Sequence, residues 1–415
     1  MSEPSQPTSE TPDGDSADAV QQPPAKQSKN ESGRKSASFH RYPLYAPRFW
    51  HGMRPKTWWR LLRDGNFRIY PSRLGFLIGI SFATPFNTLM AWVQQLFYGR
   101  KLKQTQLHGP PVFIIGHWRS GTTLLHELMV LDERYSSPST FQCFAPHHFL
   151  ITEWIFRRFF KWMLPGKRPM DNMAAGWDRP QEDEFALMNL GLHSPYRSIA
   201  FPRQDPMDLD YLDFEGVSDE DVQTWIDGLR GFLKSVSFTT GRPLVIKSPT
   251  HTGRLAALAE AFPEARFIHV ARDPRALFPS TVRLWHSLAD VQGLQPPFRP
   301  EEGSEQDQLE QNRPKQYVIQ CLKKMYDAFL PQREALPAQR MVCIRYEDLI
   351  ADPVETLEHI YSSLRLSDFQ TVRPVIDEWV KNEHRSYKTN KHQLSADDEQ
   401  TIQQEWKHYF EAFDY

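Results

Sequence analysis

The sequence predicts an α/β fold: a P-loop-like parallel sheet with helices on both faces, plus a helical insert and a helical N-terminal extension. Two observations carry that expectation. The stretch "GHWRSGTT" at 116–123 follows the apolar run 111–115, and its glycines are spaced G-x-x-x-x-G, as in a phosphate-binding turn between strand and helix. Downstream, short apolar runs alternate with helix-length stretches, which implies a parallel sheet covered on both sides.

Residues 1–40 are rich in Ser, Pro, Gln and acidic groups, with hardly an apolar cluster. They are expected to form a disordered tail, since they bury too little surface to offset chain entropy. Residues 41–105 read as a basic, aromatic, helical segment. Within it, "LGFLIGISFATPFNTLMAWVQQLFYG" (74–99) holds no charged residue. That length could cross a bilayer, which takes ~20 residues. Asn87, Gln94, Gln95 and a central Pro85 weaken its hydrophobicity. Basic residues flank both ends (Arg68 and Arg73; Arg100, Lys101 and Lys103), so the positive-inside rule picks no orientation. The expectation is a helix broken at Pro85 and lying in a membrane interface, or re-entering the same leaflet. A helical pair packed on the domain is the plainer alternative.

The domain itself is expected over 106–415. Strands are predicted at 112–116, 244–247, 266–270 and 341–345. Helices follow them at 122–131, 254–262, 276–285 and 353–364, the second ended by Pro263. Residues 134–240, aromatic and Pro-rich, interrupt the rhythm as an inserted helical cap. The polar run 292–314 reads as a surface loop, and the chain after 370 as helices and loops.

A net charge of −2 argues against a general nucleic-acid binder. Three cysteines without a CxxC pair suggest neither a disulfide framework nor a zinc site, and they fit a reducing compartment. The polar, Pro-rich N-terminus is unlike a secretory leader. A cytoplasmic protein, peripheral on the inner face of the membrane, is therefore expected.

In the turn at 116–123, Thr122 stands where a nucleoside-triphosphate loop needs lysine, and no acidic strand end offers itself for magnesium. The base has moved to Arg119, inside the loop. Lys247 and Arg272 close two other strands. A site of arginine and lysine without a metal suits a ligand whose leaving group is already good.

These residues resemble the sulfotransferases that use 3′-phosphoadenosine 5′-phosphosulfate, in particular the bacterial family with an "RSGTT" loop. The likeness covers most of 110–365. It implies that Arg119, Ser120, Gly121, Thr122 and Thr123 bind the 5′-phosphosulfate. His117-Trp118 departs from the commoner Leu/Tyr-Pro before the arginine. "FPEARFIHVARDPRALFPSTV" matches the 3′-phosphate segment, so Arg272 and Ser280 take that phosphate. "LVIKSP" matches the strand whose lysine, here Lys247, faces the transferred sulfonate. "IRYEDLIADP" (344–353) is a further signature of structural character. The donor is thus a co-substrate, and no metal is implied.

A base must take the acceptor's proton, and several residues qualify. They are His148 in "STFQCFAPHHF", the acidic trio Glu182, Asp183 and Glu184, then His193 and His251. Arg385 or Lys388 is a candidate to reach over the nucleotide. Glu182–Glu184 could equally be the acidic first turn of a helix. The acceptor is expected to be a small molecule, glycan or lipid; aromatic density in the insert favours a greasy or membrane-resident one. A phosphotransferase, or a non-catalytic nucleotide sensor on the same fold, is the alternative.

Overall fold

Four parallel strands form one sheet in the order β2-β1-β3-β4: β1 (Val112–Ile115), β2 (Val245–Lys247), β3 (Arg266–Ala271) and β4 (Met341–Arg345). In register, Ile114 lies beside Lys247 on one side and Ile268 on the other, and His269 lies beside Cys343. The structure is a computed structural model that describes residues 45–164, 176–296, 305–382 and 394–415. The tail 1–40, Arg385 and Lys388 lie outside the described residues.

Helices follow in chain order. Before the sheet come α1 (Pro55–Asp64) and α2 (Leu74–Gln104). After β1 come α3 (Thr122–Met129), α4 (Thr140–Phe144), α5 (Phe149–Phe159), α6 (Asp183–Leu190) and α7 (Asp219–Thr240). A 3-10 turn (Pro249–Arg254) and α8 (Leu255–Ala261) link β2 to β3, and α9 (Pro274–Gln292) and α10 (Glu305–Glu334) link β3 to β4. The chain then runs through α11 (Tyr346–Ala351), α12 (Pro353–Ser363), α13 (Arg373–Asn382), α14 (Ala396–Glu405) and α15 (Lys407–Phe413).

Successive side chains of a strand point to opposite faces, and here that alternation separates two cores. Phe113, Ile115, Ile246 and Phe267 join the larger core, with the N-terminal extension, the segment between α3 and β2, and α8, α9, α10 and α15. Val112, Ile114, Val245, Ile268 and Val270 join the smaller one, with Leu124 and Leu128 of α3, Leu357 and Ile360 of α12, and Ile376 of α13. Every residue of β1 is buried, which is why it reads as a continuous apolar run.

Two expectations need correction. The run 74–99 does not break at Pro85; α2 passes through it as one helix. Proline deprives the Ser81 carbonyl of its helical partner, and the Thr84 hydroxyl donates to that oxygen instead, at 3.1 Å. Tertiary bonds hold the helix on both sides of the proline: Asn87 Nδ2 donates to the carbonyls of His51 (2.6 Å) and Met53 (2.8 Å), and Trp58 Nε1 donates to Ser81 Oγ (2.9 Å). The run 292–314 is not all loop, since α10 begins at Glu305.

Candidate active site

The loop 116–121 takes the shape its glycines permit. Gly116 has φ +141°, donates its amide to Thr252 Oγ1 (2.8 Å), and lies where a Cβ would come within 2.6 Å of the Val270 carbonyl oxygen. Gly121 has φ +101°, and a Cβ there would meet the Tyr346 ring at 2.3 Å. Both positions therefore require glycine, for space and for backbone. Arg119 itself has φ +69°, uncommon for a branched-out side chain of this length. Gly121 caps α3, whose first-turn amides have no helical acceptor and carry the positive end of the helix.

Three basic or hydroxyl groups from distant segments meet at this loop. Arg119 Nε donates to Ser280 Oγ of α9 at 3.1 Å, and Arg272 Nη1 donates to the Arg119 carbonyl at 2.6 Å. The Arg272 guanidinium stacks 4.2 Å from the Tyr346 ring centre, and its backbone amide donates to the Tyr409 hydroxyl of α15 at 2.9 Å. The segments expected to bind the two ends of the donor thus form one continuous arc. Within it, Ser120 Oγ and Arg272 Nε are buried with no hydrogen-bond partner among the described residues. Buried donors of this kind are normally satisfied, and an anionic ligand on the loop would satisfy them.

Beside the loop, at the carboxyl end of β2, Lys247 is 2% exposed and its Nζ lies 2.5 Å from Glu182 Oε1. Glu182 Oε2 accepts from the Tyr196 hydroxyl, which in turn accepts from Trp118 Nε1 at 2.8 Å. Burial and the Glu182 charge hold the Tyr196 hydroxyl well above its usual range, so it keeps its proton and donates. Trp118, the departure from the commoner loop, therefore ties the loop to the carboxylate.

The other two acidic residues of the trio face different partners. Asp183 accepts from Ser248 Oγ (2.5 Å) and pairs with His251 Nε2 (2.8 Å). Burial opposes its charge, yet His251 outweighs that and holds the carboxyl below the usual range. Glu184 is fully buried and saturated by Ser194 Oγ (2.6 Å), Thr250 Oγ1 (2.8 Å) and Arg254 Nη1 (2.7 Å). Three consecutive carboxylates thus fasten the start of α6 along the segment 247–254, and only Glu182 meets the lysine.

The remaining candidates lie elsewhere. His148 packs under α2, with Nδ1 on Thr152 Oγ1 (2.8 Å) and Nε2 on Asn87 Oδ1 (3.1 Å), and burial pushes its ring down to about 4. His193 pairs with Asp208 at 2.9 Å. His251 is fully buried between Asp183 and Arg254. Tyr196, Thr252, Tyr346 and Tyr409 were not singled out by sequence reasoning. Tyr346 alone left a signal, in "IRYEDLIADP".

The chain matches the sulfotransferase family over residues 110–371. It is 36% identical over 382 residues, 92% of its length and 95% of theirs, to proteins of Mycobacterium bovis and Mycobacterium tuberculosis called omega-hydroxy-beta-dihydromenaquinone-9 sulfotransferase Stf3. Its fold resembles the crystal structure of sulfotransferase STF9 from Mycobacterium avium (TM-score 0.61, 17% identity, 88% of this chain and 97% of that one). It also resembles that of STF1 from Mycobacterium tuberculosis (TM-score 0.56, 15% identity, 88% and 94%). The chain belongs to the sulfotransferase family, and it is a sulfonate-transferring enzyme.

Proposed function

We propose that the enzyme moves the sulfonate of 3′-phosphoadenosine 5′-phosphosulfate to a hydroxyl of a membrane-resident, quinone-type lipid, with Glu182 as the base. The observation that carries this reading is the buried Lys247–Glu182 pair beside the loop. The donor supplies a sulfonate already bonded to a good leaving group, so the protein's part is positioning and charge. Arg119, Ser120, Gly121, Thr122 and Thr123 hold the 5′ end. Arg272 and Ser280 hold the 3′-phosphate, where a guanidinium offers bidentate geometry. The unpartnered Ser120 Oγ and Arg272 Nε fit that assignment.

Lys247 faces the sulfonate. Glu182 accepts the acceptor's hydroxyl proton, while Tyr196 keeps its second oxygen fixed in orientation. Phe185, Tyr196, Trp118 and Trp285 pack on one another, with Tyr196 bonded to Glu182, an aromatic cluster suited to an apolar acceptor. The name of the curated relatives supports the same acceptor class, since similarity to them extends over nearly the whole chain. We place the reaction on the cytoplasmic side of the membrane.

The test is donor-dependent sulfation of a panel of hydroxylated lipids, sugars and phenols, read by mass spectrometry. Hydroxylated isoprenoid quinones should be preferred, and Glu182→Gln should lower kcat by about 10²–10⁴-fold while the protein stays folded. Preference for sugars or phenols would overturn the acceptor class. An undiminished Glu182→Gln enzyme would overturn the base.

A further inference from the structure

Helix α2 is built inside out. Its domain-facing side buries Thr84, Asn87 and Gln94; Asn87 bonds two backbone carbonyls, and Gln94 Oε1 accepts the Leu150 amide at 2.9 Å. Its outer side carries Ile78, Phe82, Phe86, Leu89, Trp92 and Leu96, three or four residues apart, with Phe82 77% and Trp92 64% exposed. A surface helix in water has the reverse polarity. Contiguous exposed apolar surface of this kind marks an interaction site. The helices packed beside α2 also expose large aromatic side chains, Trp59 on α1 and Trp154 and Phe159 on α5.

The charge pattern names the partner. From Gly65 to His126 the chain has no acidic residue. Exposed cations stand at both ends of the apolar face: Arg68 before it, and Arg100, Lys101 and Lys103 after it. We propose that this face seats the enzyme in the plane of a bilayer bearing anionic headgroups. The outer side chains enter the headgroup–acyl boundary, the tryptophans lie at headgroup depth, and the cationic ends meet lipid phosphates.

Two other occupants fit less well. A spanning helix would give every side to lipid, whereas α2 is bonded to the domain along one side. At ~1.5 Å per residue its length is roughly 46 Å, against a hydrocarbon core of ~30 Å. In a dimer through this face, either orientation would bring cationic ends together. The proposal stands on the helix and is independent of the acceptor, because binding can be measured without donor or acceptor.

The test is flotation of the full chain with vesicles of phosphatidylcholine alone or mixed with phosphatidylglycerol. Binding to the mixed vesicles that is weakened by salt supports the proposal. Replacing Phe82, Trp92 and Leu96 together by glutamate should cut partitioning by about tenfold or more, with unchanged circular dichroism, because these side chains face away from the domain. As a second readout, brominated lipid should quench the wild-type fluorescence and quench Trp92→Phe less. No flotation with mixed vesicles, equal flotation of the triple variant, or a stable dimer indifferent to vesicles would each overturn it.

Discussion

Arg272 stands where several segments meet: its side chain reaches the loop carbonyl of Arg119, its ring partner is Tyr346, and Tyr409 holds its backbone. Arg272→Ala should therefore weaken 3′-phosphoadenosine 5′-phosphate while hardly touching AMP, which lacks the extra phosphate. A charge-assisted hydrogen bond at such a site is worth about 1.5–3 kcal/mol, so titration calorimetry should show a loss of roughly tenfold or more. Wild-type affinity should be the same with and without EDTA. Equal loss for both nucleotides would place the arginine elsewhere. Arg119, Lys247 and Arg272 could be singled out because each sits at a strand end or between the loop glycines, whereas Ser280 was named only through the resemblance. The choice among Glu182, Asp183 and Glu184 was not. It depends on where α6 begins: Glu182 is the extended residue before the helix, with φ −71° and ψ 125°, and the other two carboxylates lie in its first turn. The Trp118–Tyr196 bond spans 78 residues, and no local pattern reports it.

At the scale of the element, the start of α6 is held by charge rather than by a simple cap. Glu184 and Arg254 are both fully buried and bonded to each other. Glu184→Ala would leave a buried guanidinium without its carboxylate, a loss of about 3–5 kcal/mol for a broken buried pair. Thermal unfolding should show a large fall in Tm. A Glu184→Ala protein as stable as wild type would mean that water reaches Arg254 freely. The four strands and the helices after them were legible: β1, β2 and β3 are buried nearly throughout and give apolar runs, and β4 is a short apolar run at the sheet edge. Two helices were misjudged for different reasons. Pro85 is a local helix breaker, and in α2 a hydroxyl and tertiary hydrogen bonds override that preference; the start of α10 was read as loop because the run 292–314 is polar.

Across the whole molecule, acid should destabilise the fold, the packing of the N-terminal extension included. His51, His147 and His148 lie around its packing against the domain, and burial lowers each from the usual 6.5 to about 4. A lowered folded value means that the unfolded chain binds more protons between those limits. The stabilisation is therefore fully present above pH 6.5 and is lost as pH falls toward 4, by up to roughly 1.4 kcal/mol per pH unit for each histidine. Denaturant midpoints measured from pH 7.5 to 4 should decline across that window, and the decline should shrink in His148→Gln. A flat profile would show that these rings stay solvated.

The inverted polarity of α2 also bears on how the chain is made. The helix leaves the ribosome before its partner Leu150 and before the Gln292 oxygens that anchor Phe49 and Trp50 beside it. During that interval an uncharged run of membrane length has only the segment before it, with His51, Met53 and Trp58, to pack on. Thr84, Asn87 and Gln94 make commitment to the bilayer costly, and the same three residues later find their places against the finished domain. One set of polar side chains therefore both weakens the run as a spanning segment and fixes which way the helix faces.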